Sequence, residues 1–180
     1  MRFTRHRTGG GVKAKVDRVE ALVLAQCAAQ LLELVDEPDV GDDPLAAMVG
    51  LAPGDVERPD DPVLARLLPD AYRGDVEAAS DFRRYTDADL RTAKRAAAQV
   101  VLDSLPEGGG TMVLDRDQCD SWLGCLNDLR LALGTSLSVT EDLEPDGLEP
   151  DDPRVEPLQV YGWLGWLQES LLSCLEPRVP

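Results

Sequence analysis

The chain has 180 residues, 34 acidic against 18 basic, and a net charge of −16, so generic binding to a phosphate backbone, which needs positive surface, is disfavoured. An apolar fraction of 43% fits a globular protein, and the length suits one well-buried core, so a single domain spanning 1–180 is expected. Aromatics make up only 4%, which leaves Leu, Val and Ala to fill that core.

The opening "RFTRHRTGGGVKAKV" alternates from Val12 to Val16 around a glycine turn and predicts a β-hairpin within residues 1–16. It is also basic. Residues 1–18 carry Arg2, Arg5, Arg7, Lys13, Lys15 and Arg18 against Asp17 alone, a net +5, and the remaining 162 residues carry −21. An exposed basic hairpin on an acidic body is one reading; a contact surface for a partner or a nucleic acid is the other.

Asp17 followed by Glu20 spells a capping box, and the apolar pattern predicts a helix from there to about Val35. The stretch "ALVLAQC" superficially resembles a signal peptide with a lipoprotein box. Asp17 and Glu20 break the approach to it, Gln26 fills the small-residue position, and the pattern continues as an ordinary helix, so export is rejected. No apolar run reaches the length of a membrane span, and a soluble, cytoplasmic protein is expected.

Residues 36–62 form an acidic, proline-rich loop with one short helix, capped by Asp43 with Pro44 in its first turn and closed by Gly50. A second Asp-Pro start at Asp61 opens "VLARLL", which stops at Pro69. "VEAASDFRRY" predicts another helix. Thr86 and Asp89 then spell a new capping box for a separate helix, 86–105, ending before "PEGGG". "TMVL" (111–114) is a strand that could join the hairpin. Asp115 and Gln118 cap the next helix, which closes at Gly134. A second acidic, proline-rich loop covers 138–157, and "LQVYGWLGWLQESLLSCL" predicts a final amphipathic helix. The expected fold is therefore mainly α, one helical domain with a small antiparallel β-hairpin or three-stranded sheet.

Few residues suggest chemistry. The cysteines Cys27, Cys119, Cys125 and Cys174 form no CxxC pair, and His6 is the lone histidine, so free buried thiols are expected in place of a zinc site. The two GGG runs, at 9–11 and 108–110, lead into neither a phosphate loop nor a dinucleotide fold, and the acidic loops lack calcium-loop spacing. No catalytic residue, cofactor or metal is expected, and the chain does not read as an enzyme.

Arg130 is the awkward residue. At about 100° per residue from Trp122, it falls near 80°, between Leu126 and Leu123, inside the apolar arc of its helix. A guanidinium there cannot shed its charge and needs a partner. Glu20 falls between Cys27 and Leu31 on the first helix, so a structural ion pair between Glu20 and Arg130 is one reading. In the other, Glu20 only completes its cap while Arg130 reaches the surface. Lys94 stands at the edge of the arc made by Leu90, Ala93, Ala97 and Val100. With Arg91 and Arg95 it is either a basic patch or a solvated flank supported by Asp87 and Arg91. The Trp163, Leu164 and Leu167 stripe is either core or a homodimer face.

Four segments, "RLLPDAY" (66–72), "FRRYTDADLRTAK" (82–94), "WLGCLNDLRLALGTSL" (122–137) and "YGWLGWLQESLL" (161–172), resemble a small actinobacterial family classified only as a domain of unknown function. The resemblance runs over essentially the whole chain. It implies a gene that often lies beside that of the Clp protease adaptor, and members labelled putative transcriptional regulators. The family pattern would read LGTRLG where this chain reads LGTSLS, so Ser136 stands for an arginine and Ser138 for a glycine. That removes the arginine an anion site at this turn would use. The resemblance supplies no catalytic residues. The expected function is a non-enzymatic regulatory or interaction protein with a protein partner, Clp-dependent proteolysis being the implied link. The alternative is a DNA-binding regulator using the hairpin and the Arg91, Lys94 and Arg95 helix.

Overall fold

The structure is a computed structural model that describes residues 1–6, 11–36, 58–72, 74–140, 148–149 and 151–176. The expected helix around Asp43 and Gly50, most of the two acidic loops, and Arg7 lie outside the described residues.

Strands β1 (Arg2–Arg5), β2 (Val12–Val16) and β3 (Gly110–Leu114) form an antiparallel sheet in the order β1-β2-β3. The pleat sorts β2 cleanly: Val12, Ala14 and Val16 are buried, while Lys13 and Lys15 face out. Register places Phe3, Ala14 and Met112 in one inward row and Arg2, Lys15 and Thr111 in one outward row.

Helix α1 (Arg18–Leu34) follows β2 directly, and its start is fixed locally. Asp17 accepts from the Glu20 amide at 2.9 Å, and Glu20 accepts from the Asp17 amide at 2.9 Å. The residue facing this cap is Gly109, at φ +89°. A Cβ there would lie 2.8 Å from the Arg18 amide nitrogen and the Asp17 carbonyl carbon, so only glycine lets the turn before β3 sit on the cap.

Helix α2 (Pro62–Leu67) starts where the Asp-Pro pair predicts it, with Asp61 accepting from the Val63 and Leu64 amides. Helix α3 (Val76–Ser104) then corrects the expected division into two helices. It runs unbroken through Thr86, whose hydroxyl donates back to the Phe82 carbonyl at 2.9 Å instead of capping a new start.

Helix α4 (Arg116–Ser136) opens on the predicted box, Asp115 with Gln118, and runs two residues beyond Gly134. It ends in a Schellman turn: the Val139 amide reaches the Gly134 carbonyl at 2.8 Å and the Ser138 amide the Thr135 carbonyl at 3.1 Å. Ser138 therefore sits at φ +52°, the left-handed position that glycine occupies most readily. Helix α5 (Val155–Leu175) begins inside the expected 138–157 loop, with Pro157 tolerated in its first turn.

The core centres on α4, which packs against α2, α3, α5 and, more lightly, α1. Its Trp122 is fully buried, meets Phe3 of β1 edge-on at 5.7 Å, and donates from Nε1 to the Ser104 hydroxyl at 2.8 Å. Leu164, Leu167 and Leu171 of α5 join the same cluster with no exposed surface. The stripe expected to serve either core or a dimer is thus core at Leu164 and Leu167. A second copy cannot reach them without unpacking α5. No described helix is long and apolar enough to cross a membrane.

Candidate functional site

The structure separates the named cations by what holds them. On α3, Arg91 is buried, with Nε donating to Asp87 at 2.6 Å and Nη1 to the Asp36 carbonyl at 3.1 Å. Lys94 donates from Nζ to Asp128 of α4 at 2.7 Å, and Arg95 faces Asp36 at 3.5 Å. The three do not form an open basic patch. They tie α3 to α4 and to the end of α1, because each side chain at the edge of the apolar arc finds a carboxylate or carbonyl on a neighbouring turn. Asp128 was missed as Lys94's partner. Its signal was available, a carboxylate in the otherwise apolar run "CLNDLRLAL".

The expected pair of Glu20 and Arg130 is corrected in the same way. Glu20 is held at the N-terminus of α1 by its capping box and by the amino group of Met1. Arg130 points toward α5, where Nη1 donates to Gln168 Oε1 at 2.9 Å and the guanidinium lies over the Tyr161 ring at 5.3 Å. The wheel reading of Arg130 inside an apolar arc holds, since the side chain is half-buried. Its neighbour is α5, which covers that side of α4, and α1 meets α4 on another side.

On the sheet, Arg5 is a clamp: it donates to the Ser173 carbonyl at 3.3 Å and to the Glu176 carbonyl, tying β1 to the end of α5. Arg2 stands beside Trp166 and Glu169 in the groove between β1 and α5. Lys13 and Lys15 project from the outer face, flanked by Thr4, Thr111 and the half-exposed Val113. No ion pair among the described residues holds Arg2, Lys13 or Lys15. In a chain with 34 acids, this sheet face presents cations without an ion pair among the described residues and no carboxylate in its central rows.

The four cysteines are free thiols. Burial pushes Cys125 up to about 12 and Cys119 up to about 11, with nearby carboxylates adding to both, and it raises Cys27 and Cys174 as well. At neutral pH they remain protonated, the slow form toward oxidants and metals.

Residues 1–175 match a family described as a domain of unknown function (DUF2017). Proteins called oxidative stress regulator AosR, from Mycobacterium bovis and Mycobacterium tuberculosis, are 34% identical to the chain over 184 residues, covering 94% of it and 84% of their own length. A protein called putative oxidative stress regulator AosR, from Mycobacterium leprae, is 36% identical over 171 residues, covering 87% of the chain and 78% of its own length. No solved structure matches. With the match running from the first strand to the end of α5, the chain belongs to the DUF2017 family.

Proposed function

We propose that this chain is a non-enzymatic regulatory protein of the cytoplasm that works by binding a protein partner through its outer sheet face. The observation that carries the reading is the set of unpaired cations there, Lys13 and Lys15 with Arg2 at the edge, on a chain of net charge −16. Such a face attracts an acidic partner surface and steers its approach. The names of the mycobacterial relatives support a regulatory role under oxidative stress. The raised thiols support regulation by surface contacts over direct attack of a cysteine on an oxidant, which needs an accessible, low-pKa thiolate. The Clp proteolytic system is the first candidate partner, from the gene neighbourhood that the family resemblance implies.

The experiment is affinity capture from extract of the source organism, followed by mass spectrometry, with wild type and a K13E/K15E double variant run together. Recovery of a Clp component by wild type, and its loss from the variant, is the expected result. Recovery of the same proteins by both baits would remove the sheet face from the reading.

The same unpaired lysines also favour a second reading, a nucleic-acid contact. Arg91 and Lys94 are engaged inside the fold, so any phosphate contacts would fall to the sheet. A DNA shift at about 50 mM salt that fades as salt rises would favour this reading, because released counterions drive such binding; no shift at that salt removes it.

A further inference from the structure

Where α4 ends against α5, a cavity of about 380 Å³ opens between Arg66, Arg130, Thr135, Ser138, Thr140 and Tyr161. Two guanidiniums share its wall, and neither meets a carboxylate among the described residues. Three cations of α3 do have one: Arg83 has Asp70, Arg91 has Asp87 and Lys94 has Asp128. Arg130 instead makes one hydrogen bond, to the neutral Gln168, and its Nε is buried with no hydrogen-bond partner. A guanidinium carries five N–H donors, and among the described residues only one hydrogen bond draws on those of Arg130.

The seat for this arginine is cut into the helices. A Cβ at Gly165 of α5 would come within 3.3 Å of Arg130 Nε, and one at Gly134 of α4 within 3.2 Å of the Tyr161 ring. Glycine inside a helix is costly, and here two of them admit the arginine and the ring it lies over. The wall is rich in donors. No hydrogen bond among the described residues uses the side-chain hydroxyls of Ser138, Thr140 or Tyr161. Ser138 stands at the left-handed position where glycine would carry no hydroxyl at all.

We propose that this cavity receives an oxyanion, a phosphate or carboxylate group, on Arg130 and Arg66 with the hydroxyls completing its shell. Arginine forks match both groups, and the cavity volume lies in the range that small ligands occupy. The site rests on arginines 66 and 130, so the serine at 136 does not weaken it. It is also independent of whether the sheet face binds a partner. The occupant is a small free ligand that carries a phosphate or carboxylate group.

The test uses the full chain, titrated with inorganic phosphate and separately with succinate, against sodium chloride at matched ionic strength. Calorimetry and the arginine Nε–Hε NMR signals give the readouts. A free ligand predicts saturable binding to wild type that moves the Arg130 signal, weakened at least five-fold in Arg66→Gln, whose exposed side chain is not needed for folding. No saturable binding, or equal binding by wild type and R66Q, overturns the proposal.

Discussion

The bond between Lys94 and Asp128 offers the sharpest check on how α3 is held to α4. Nζ and Oδ1 are 2.7 Å apart, with the two side chains 16% and 8% exposed. Removing one member of a fully buried pair costs about 3–5 kcal/mol, because the survivor is left charged and uncompensated. Lys94 keeps some contact with water, so Asp128→Ala is expected to cost about 2–4 kcal/mol, and Lys94→Met a similar amount. A protein of this size has about 5–15 kcal/mol in total, so either loss is large. The double variant K94M/D128L tests the reasoning from the other side. It removes both charges and fills the space with apolar atoms, and should recover at least half of the summed single losses, a coupling of about 2–4 kcal/mol or more. Urea unfolding at pH 7, followed by far-UV circular dichroism and tryptophan fluorescence, measures the four corners, wild type, K94M, D128L and K94M/D128L, with D128A beside them. A cost below about 1 kcal/mol for D128A, or a double variant as unstable as the two singles together, would refute the pair as an interhelical lock.

Ser138→Gly should stabilise the chain by about 0.5–1 kcal/mol, because glycine relieves the left-handed strain at the end of α4 while losing some unfolded-state advantage. At this chain length that is a rise in Tm of about 1–4 °C by calorimetry, and a fall would contradict the strain argument. Gly109→Ala should destabilise by about 2–4 kcal/mol, combining a left-handed alanine with backbone overlap on the α1 cap; a loss under about 1 kcal/mol in chemical denaturation would mean the turn yields easily. The buried thiols give a pH dependence of known sign. Cys125 stays protonated to about 12 in the fold but ionises near 9 when unfolded, so its contribution is intact at neutral pH and stability falls as pH rises above 9. The slope approaches about 1.4 kcal/mol per pH unit for this thiol, and Cys125→Val should flatten the pH 9–11 decline by that amount. An unchanged slope in denaturation curves would show that other groups cause it.

The parts of the fold that were legible in the sequence are those decided within four residues. Asp17 with Glu20, Asp61 before Pro62, and Asp115 with Gln118 each accept local amides, so their helix starts follow from spacing alone. The alternation of Val12, Ala14 and Val16 likewise fixed the buried face of the hairpin, and β3 joined it as expected. Thr86 and Asp89 show the limit of the same logic. A capping pattern is only permissive, and in mid-helix the threonine hydroxyl is satisfied equally well by the Phe82 carbonyl. The arginine at 130 shows another limit. A helical wheel gives the face of each helix but not which faces meet, so Arg130 was legible as a half-buried cation while Gln168 and Tyr161 of α5 were not. Arg66 was not singled out, because nothing in a short exposed helix says that its side chain borders a cavity.

Counting cations along this sequence points to two places, the N-terminal hairpin and the helix of Arg91, Lys94 and Arg95. The fold separates the two. An acidic chain offers carboxylates almost everywhere, and a cation that meets one becomes part of the scaffold, as Lys94 does with Asp128. Among the described residues, two sets of cations without an acid line a face or a cavity. Lys13 and Lys15 are kept free by the pleat, which sends them outward in rows shared with threonines and a valine. Arg130 and Arg66 are kept from acids by a cavity whose walls supply hydroxyls, an amide and an aromatic ring instead. Holding a guanidinium without a carboxylate in such a place costs stability, and a fold under no other demand would gain by placing an acid at one of those wall positions. The absence of a described carboxylate from both walls is therefore what the two proposed contacts have in common, and anionic partners of different size tell them apart.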